Sequence, residues 1–190
     1  MNILTNKLPV EVNIDGVLYK INSDYRTSII FSKLIEDNEV TEDLILEILN
    51  LYYPVIPQNI EQAIDKISWF YECGKSKDDN SNNSTGSYKK VFDYDEDSQY
   101  IYSAFLSQYR IDLQEVEYLH WWKFKALFEA LDDNNEIIKI MKYRSIDLSK
   151  IQDKEQRNFY KKMQENYKLK EKVNEADLQA LDEMRKLLVQ

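Results

Sequence analysis

Three glycines and three prolines are all the strong backbone breakers in this 190-residue chain. A turn-rich β fold needs many more, so the chain is predicted to fold mainly through long helices. Where the breakers fall, they punctuate. Asp15-Gly16 separates two short alternating runs between Leu8 and Ile21 and supplies the positive φ angles of a type I′ turn, which predicts an N-terminal β-hairpin. A hairpin alone is marginal in water, so it must pair with another strand or lie on helices.

Helical signals follow. Ser23 or Asp24 can cap a helix whose apolar face would be Ile29, Ile30, Phe31 and Leu34. Thr41 caps a second, with Glu42 and Asp43 in its first turn, where the helix dipole favours acids. Pro54 ends that helix, Pro57 suits the first turn of a third, and Gly74 reads as its stop. Residues 74–90, GKSKDDNSNNSTGSYKK, carry almost no apolar side chains and are expected to form a flexible linker. They would separate a unit of hairpin plus three helices, 1–73, from a helical region, 91–190, although the two can still pack together. In that second region one helix carries Ile101, Phe105, Leu106 and Tyr109. Another, capped by Asp112, aligns Leu113, Val116, His120, Phe124, Leu127 and Leu131 on one stripe. A shorter helix covers NNEIIKIMKYRS, and a long polar one starts near Asp153. A last amphipathic helix spaces Leu178, Leu181, Met184 and Leu188. The expected fold is mainly α, a bundle of roughly seven or eight helices with an N-terminal β-hairpin.

The net charge is −9, falling as −7, −3 and +1 over residues 1–73, 74–150 and 151–190. This argues against a broad grip on nucleic acid or an anionic membrane. The stretch Arg157–Lys172 interleaves bases and aromatics, but Glu165 and Glu171 dilute it, so a solvated helix face is expected. Cys73 is the only cysteine, which rules out an intrachain disulfide and fits a reducing compartment. No stretch reads as a signal peptide or a membrane span, and the expectation is a cytoplasmic protein.

Few residues invite chemistry. His120 is the only histidine, and no Cys or carboxylate stands at ligand spacing from it; a buried imidazole bonded to a backbone carbonyl or a tyrosine is expected. Asp93, Asp95 and Asp97 alternate as in a calcium loop, but the required glycine is Ser98 and the twelfth position is Ala104, so they read as an acidic helix start. Cys73 follows an apolar, aromatic stretch and reads as a small hydrophobe. Phosphate loops and nucleophile elbows have no counterpart here, and neither a cofactor, a metal nor an enzymatic activity is expected. Trp121 edges the apolar stripe and reads as core. Trp122 projects on the polar side with Tyr118, so either another helix of the chain covers it or a partner protein does.

Several blocks together carry a resemblance. They are Phe92-Asp93-Tyr94-Asp95, Tyr118-Leu119-His120-Trp121-Trp122-Lys123-Phe124, and Tyr143-Arg144-Ser145 with Asp147-Leu148-Ser149-Lys150. The N-terminal Ile14-Asp15-Gly16 and Asp24-Tyr25-Arg26 fit as well. With these the chain resembles the bacteriophage "gene product fifteen" family of long-tailed phages and prophages of Gram-positive bacteria. The resemblance implies a tail-morphogenesis protein acting in the host bacterial cytoplasm, as a tail assembly chaperone for the tape-measure protein that helps recruit tail-tube subunits. The alternative is a structural component of the finished tail or head-tail joint. Self-association stays open. No catalytic residues come with the family; Trp122, Tyr118 and Lys125 are the candidate partner contacts.

Overall fold

The computed structural model describes residues 3–37, 41–75 and 90–170. Within them the protein is mainly helical, with seven α-helices and an N-terminal antiparallel hairpin. Strands β1 (Glu11–Ile14) and β2 (Val17–Lys20) pair in the register Ile14↔Val17 to Glu11↔Lys20. The turn residues Asp15 and Gly16 take φ of 50° and 82°, as the type I′ turn requires.

Helices α1 (Tyr25–Asp37), α2 (Glu42–Tyr52) and α3 (Ile60–Tyr71) follow. The hairpin lies on α3, burying Val12 and Ile14. Its turn is tied there: Asn59 and Gln62 each donate a side-chain amide N–H to the Asp15 carboxylate (2.9 and 2.8 Å). Thr41 caps α2 as expected, its hydroxyl accepting from Leu44 N–H at 3.2 Å. On α1 the buried face differs from the sequence expectation. Tyr25, Ser28, Phe31 and Ser32 point inward, whereas Ile30 is exposed. Ser28 is admitted to the core because its hydroxyl pairs with Tyr52 Oη at 3.0 Å.

After residue 90 come α4 (Ser98–Ala104), a π-helical turn (Phe105–Tyr109), α5 (Trp121–Glu129), α6 (Glu136–Ser145) and α7 (Lys154–Asn166). Asp153 caps α7 by accepting from Gln156 N–H at 2.7 Å. Leu106, expected on the apolar face of the α4 segment, is 38% exposed; it lies in the π turn, which Arg110 ends in the left-handed region. The helix expected at residues 174–190 lies outside the described residues, as do residues 76–89 of the linker expected over 74–90.

Segments on both sides of residues 76–89 share one core. At its centre Tyr25 of α1, Phe124 of α5 and Phe105 stack as a sandwich, with centroid separations of 4.8 and 4.9 Å. Tyr52, Phe70 and Trp121 are fully buried around it.

Candidate functional site

The histidine-tryptophan-tryptophan segment is the natural place to look for chemistry. The expected helix capped by Asp112 is not formed there: α5 begins only at Trp121. Residues 112–119 form a loop, for two reasons. The Asp112 carboxylate turns back to accept from Gln114 N–H at 2.9 Å. Long-range donors also take the loop's carbonyls. Arg26 donates to Leu113 O (3.1 Å) and Val116 O (2.7 Å), and Tyr25 Oη donates to Leu113 O (2.8 Å). Asp24 meanwhile accepts from Leu119 N–H and forms a β-bridge with His120. The Asp24-Tyr25-Arg26 motif therefore shapes the approach to α5.

His120 is the N-cap of α5. Its Nδ1 accepts from Trp122 N–H (3.1 Å), so the ring proton sits on Nε2, which donates to Pro9 O at 2.9 Å. The ring is 3% exposed, and burial lowers its pKa below the ordinary imidazole value. Both nitrogens have structural partners, as expected for a buried imidazole.

Trp121 is core, as the sequence suggested. Trp122 is core too, which corrects its placement as an outward-facing contact: it is 3% exposed. The cover comes from the end of α3. Helix α3 closes with Cys73 N–H donating to Phe70 O and Gly74 N–H to Trp69 O, a Schellman geometry. Cys73 occupies the left-handed position (φ 57°) and Gly74 follows at 79°. Two of the helix-end carbonyls gain partners from the indoles. Trp122 Nε1 donates to Phe70 O at 2.7 Å, and Trp121 Nε1 donates to Tyr71 O at 2.8 Å. Trp122 packs edge-on to Trp69, and Trp121 stacks on Tyr71. A Cβ at Gly74 would lie 2.8 Å from Trp122 Cη2, so glycine is required by space as well as by φ. The Cys73 thiol is pushed up to about 11 by burial and stays protonated near neutrality.

The acidic block and Tyr143-Arg144-Ser145 meet across 47 residues. The Arg144 guanidinium makes a two-pronged ion pair with Asp97 (2.6 and 3.0 Å), and both side chains are buried. It also donates to Val91 O (3.1 Å) and Tyr167 O (2.6 Å), joining the start of the second described half to the end of α7. Asp97 further accepts from Asp93 N–H, and Asp93 accepts from the Asp95 and Glu96 amides. The calcium-like carboxylates are thus engaged within the protein, and no metal-binding cluster occurs among the described residues. The two halves of this pair were both visible in the sequence; nothing local connected them.

The remaining candidate contacts separate. Tyr118 is 52% exposed, its hydroxyl 2.8 Å from Ser23 Oγ. Lys125 lies in a groove of about 1180 Å³ between α1, the end of α3, residues 90–96, α5 and residues 164–170. Its ammonium sits over the rings of Tyr71 and Trp121, at 5.8 and 6.0 Å from their centroids. Tyr118 does not line this groove.

These features define a helical protein whose most distinctive residues brace the fold and whose open feature is a surface groove. The family model for the Bacteriophage Gp15 protein matches residues 4–169, and the chain belongs to that family. It is a phage protein of the structural or morphogenesis class. No match was found among curated proteins or solved structures. Among the described residues no helix is long and apolar enough to cross a membrane.

Proposed function

We propose that the protein is a non-enzymatic tail assembly chaperone that binds the phage tape-measure protein and helps recruit tail-tube subunits in the host cytoplasm. The carrying observation is the use made of its reactive groups. His120, Asp97, Arg144 and Cys73 are held as struts and caps, while Tyr118 is exposed and Lys125 is half-buried in the open groove, both on the family-matched segment. Supporting the reading further, the net charge of −9 would keep a coated apolar helix dispersed. Trp122 leaves the set of contacts because it is buried.

The test is coexpression with the tape-measure protein of the same tail-gene cluster. A soluble complex of fixed stoichiometry, weakened by Tyr118→Ala or Lys125→Glu without loss of folding, is the expected result. Failure to co-elute, with the tape measure still insoluble, would overturn the proposal. Detection of the protein in purified virions by mass spectrometry would instead favour a structural component of the tail.

A further inference from the structure

The groove around Lys125 has a mixed rim and an apolar floor. Ile29, Tyr71, Phe92 and Tyr94 are only partly buried against the core beneath it. The rim carboxylates already have partners. Glu36 and Asp93 pair with Lys90, Asp95 pairs with Lys33, and Glu96 accepts from Lys170 N–H at 3.0 and 3.1 Å. Lys125 forms no ion pair among the described residues.

The chain itself leads into this groove. Lys168, Leu169 and Lys170 form part of its wall, and the Glu96 contact fixes the chain there at the last described residue. Twenty residues follow. Two stretches outside the described residues continue in sequence from groove residues: 76–89 runs up to Lys90, and 171–190 follows Lys170. The first offers Tyr88 as its only large apolar or aromatic side chain, too little to fill an apolar floor. The second spaces Leu178, Leu181, Met184 and Leu188 for one helical stripe. A helix over 174–190 would be about 25 Å long at 1.5 Å per residue. Between Val173 and Met184 it carries Glu175, Asp177, Asp182 and Glu183 and no basic residue, matching Lys125, which has no ion pair among the described residues.

We propose that residues 171–190 fold back into this groove of their own chain. The Leu178–Leu188 stripe lies on Tyr71, Phe92, Tyr94 and Ile29, and an acid of the segment pairs with Lys125. The groove is then a helix-binding site whose resident occupant is residues 171–190, and a partner that reaches Lys125 does so by displacing them.

Hydrogen-exchange mass spectrometry on the full chain tests this, comparing it with the full-length double variant Leu178→Asp/Leu181→Asp. Exchange in residues 90–96 and 171–190 should be on the order of tenfold faster in the variant. The near-ultraviolet signal of the tryptophans should be retained, because Trp121 and Trp122 are held in the core by described residues. A zero-length carbodiimide cross-linker should join Lys125 to Glu175, Asp177, Asp182 or Glu183 within one chain. Equal exchange in the two proteins, with 171–190 unprotected in both, would overturn the proposal. So would cross-links found only between chains, or protection that grows with concentration alongside a doubled mass in light scattering, since the occupant would then be a second copy. Protection that arises only when tape-measure protein is added would overturn it as well.

Discussion

The most discriminating consequence of the α3–α5 junction is an energetic coupling between Gly74 and Trp122. Truncating Trp122 to alanine removes a fully buried indole and its bond to Phe70 O. Core truncations of this kind cost about 3–5 kcal/mol, a large share of a typical domain stability of about 5–15 kcal/mol. Gly74→Ala acts on the same contact from the other side. The left-handed φ of 79° alone should cost about 1 kcal/mol. The 2.8 Å approach to Trp122 Cη2 adds overpacking of about 1–3 kcal/mol, because the indole is held by its hydrogen bond and by Trp69 and cannot swing aside. In the Trp122→Ala background the obstruction is gone and only the φ penalty remains. A double-mutant cycle, read by urea denaturation with circular dichroism, should therefore give a coupling of about 1–3 kcal/mol. Additivity to within about 0.5 kcal/mol would refute the reasoning, since it would mean that the two sites do not touch in solution.

Other perturbations probe the remaining struts. Arg144→Met strands Asp97 in the interior and leaves Val91 O and Tyr167 O without their donor, so urea unfolding should show a loss of about 3–5 kcal/mol. Replacing Asp97 and Arg144 together by apolar residues should recover part of that loss. His120 sets a pH dependence. Its pKa is lowered in the fold, so above an unfolded value of about 6.5 the imidazole is neutral in both states and its contribution is intact. As pH falls below that value the unfolded chain takes up a proton that the folded chain resists, and stability falls until the folded imidazole also protonates. Urea midpoints between pH 7.5 and 5 should drop more steeply for the wild type than for His120→Gln; parallel curves would refute the assignment. Thr41→Ala should cost about 1 kcal/mol in the same assay, and Thr41→Asp little.

What could be read from the sequence was whatever a few consecutive residues decide. Asp15-Gly16 specifies its turn through φ alone, and Thr41 and Asp153 cap helices whose amides lie three residues away. The start of α5 was misread because Leu113 and Val116 do fall at helical spacing. The donors that hold that loop open belong to Arg26 and Tyr25, 87 to 90 residues earlier. Trp122 was ambiguous for a similar reason. Its own helix makes its side polar, and the cover is the end of α3, 52 residues upstream. Ser28 was not among the residues expected on the inner face of α1, because the Tyr52 hydroxyl that pairs with it lies 24 residues further on. For the site, the aromatic and charged blocks were legible as candidates. Their division into struts and surface depended on contacts between the two halves.

The indole bonds at the end of α3 have a consequence for synthesis. Helical proteins usually fold through contacts close in sequence, which makes them fast. Here Phe70 O and Tyr71 O wait for Trp122 and Trp121, and Pro9 O waits for His120, 111 residues later. At about 5–20 residues per second, a ribosome that has just added Tyr71 needs roughly 3 to 10 s to reach Trp121. Through that interval the indole donors to Phe70 O and Tyr71 O have not yet been made. The end of α3 and the start of the hairpin can therefore gain these partners only after residues 120–122 have been synthesised.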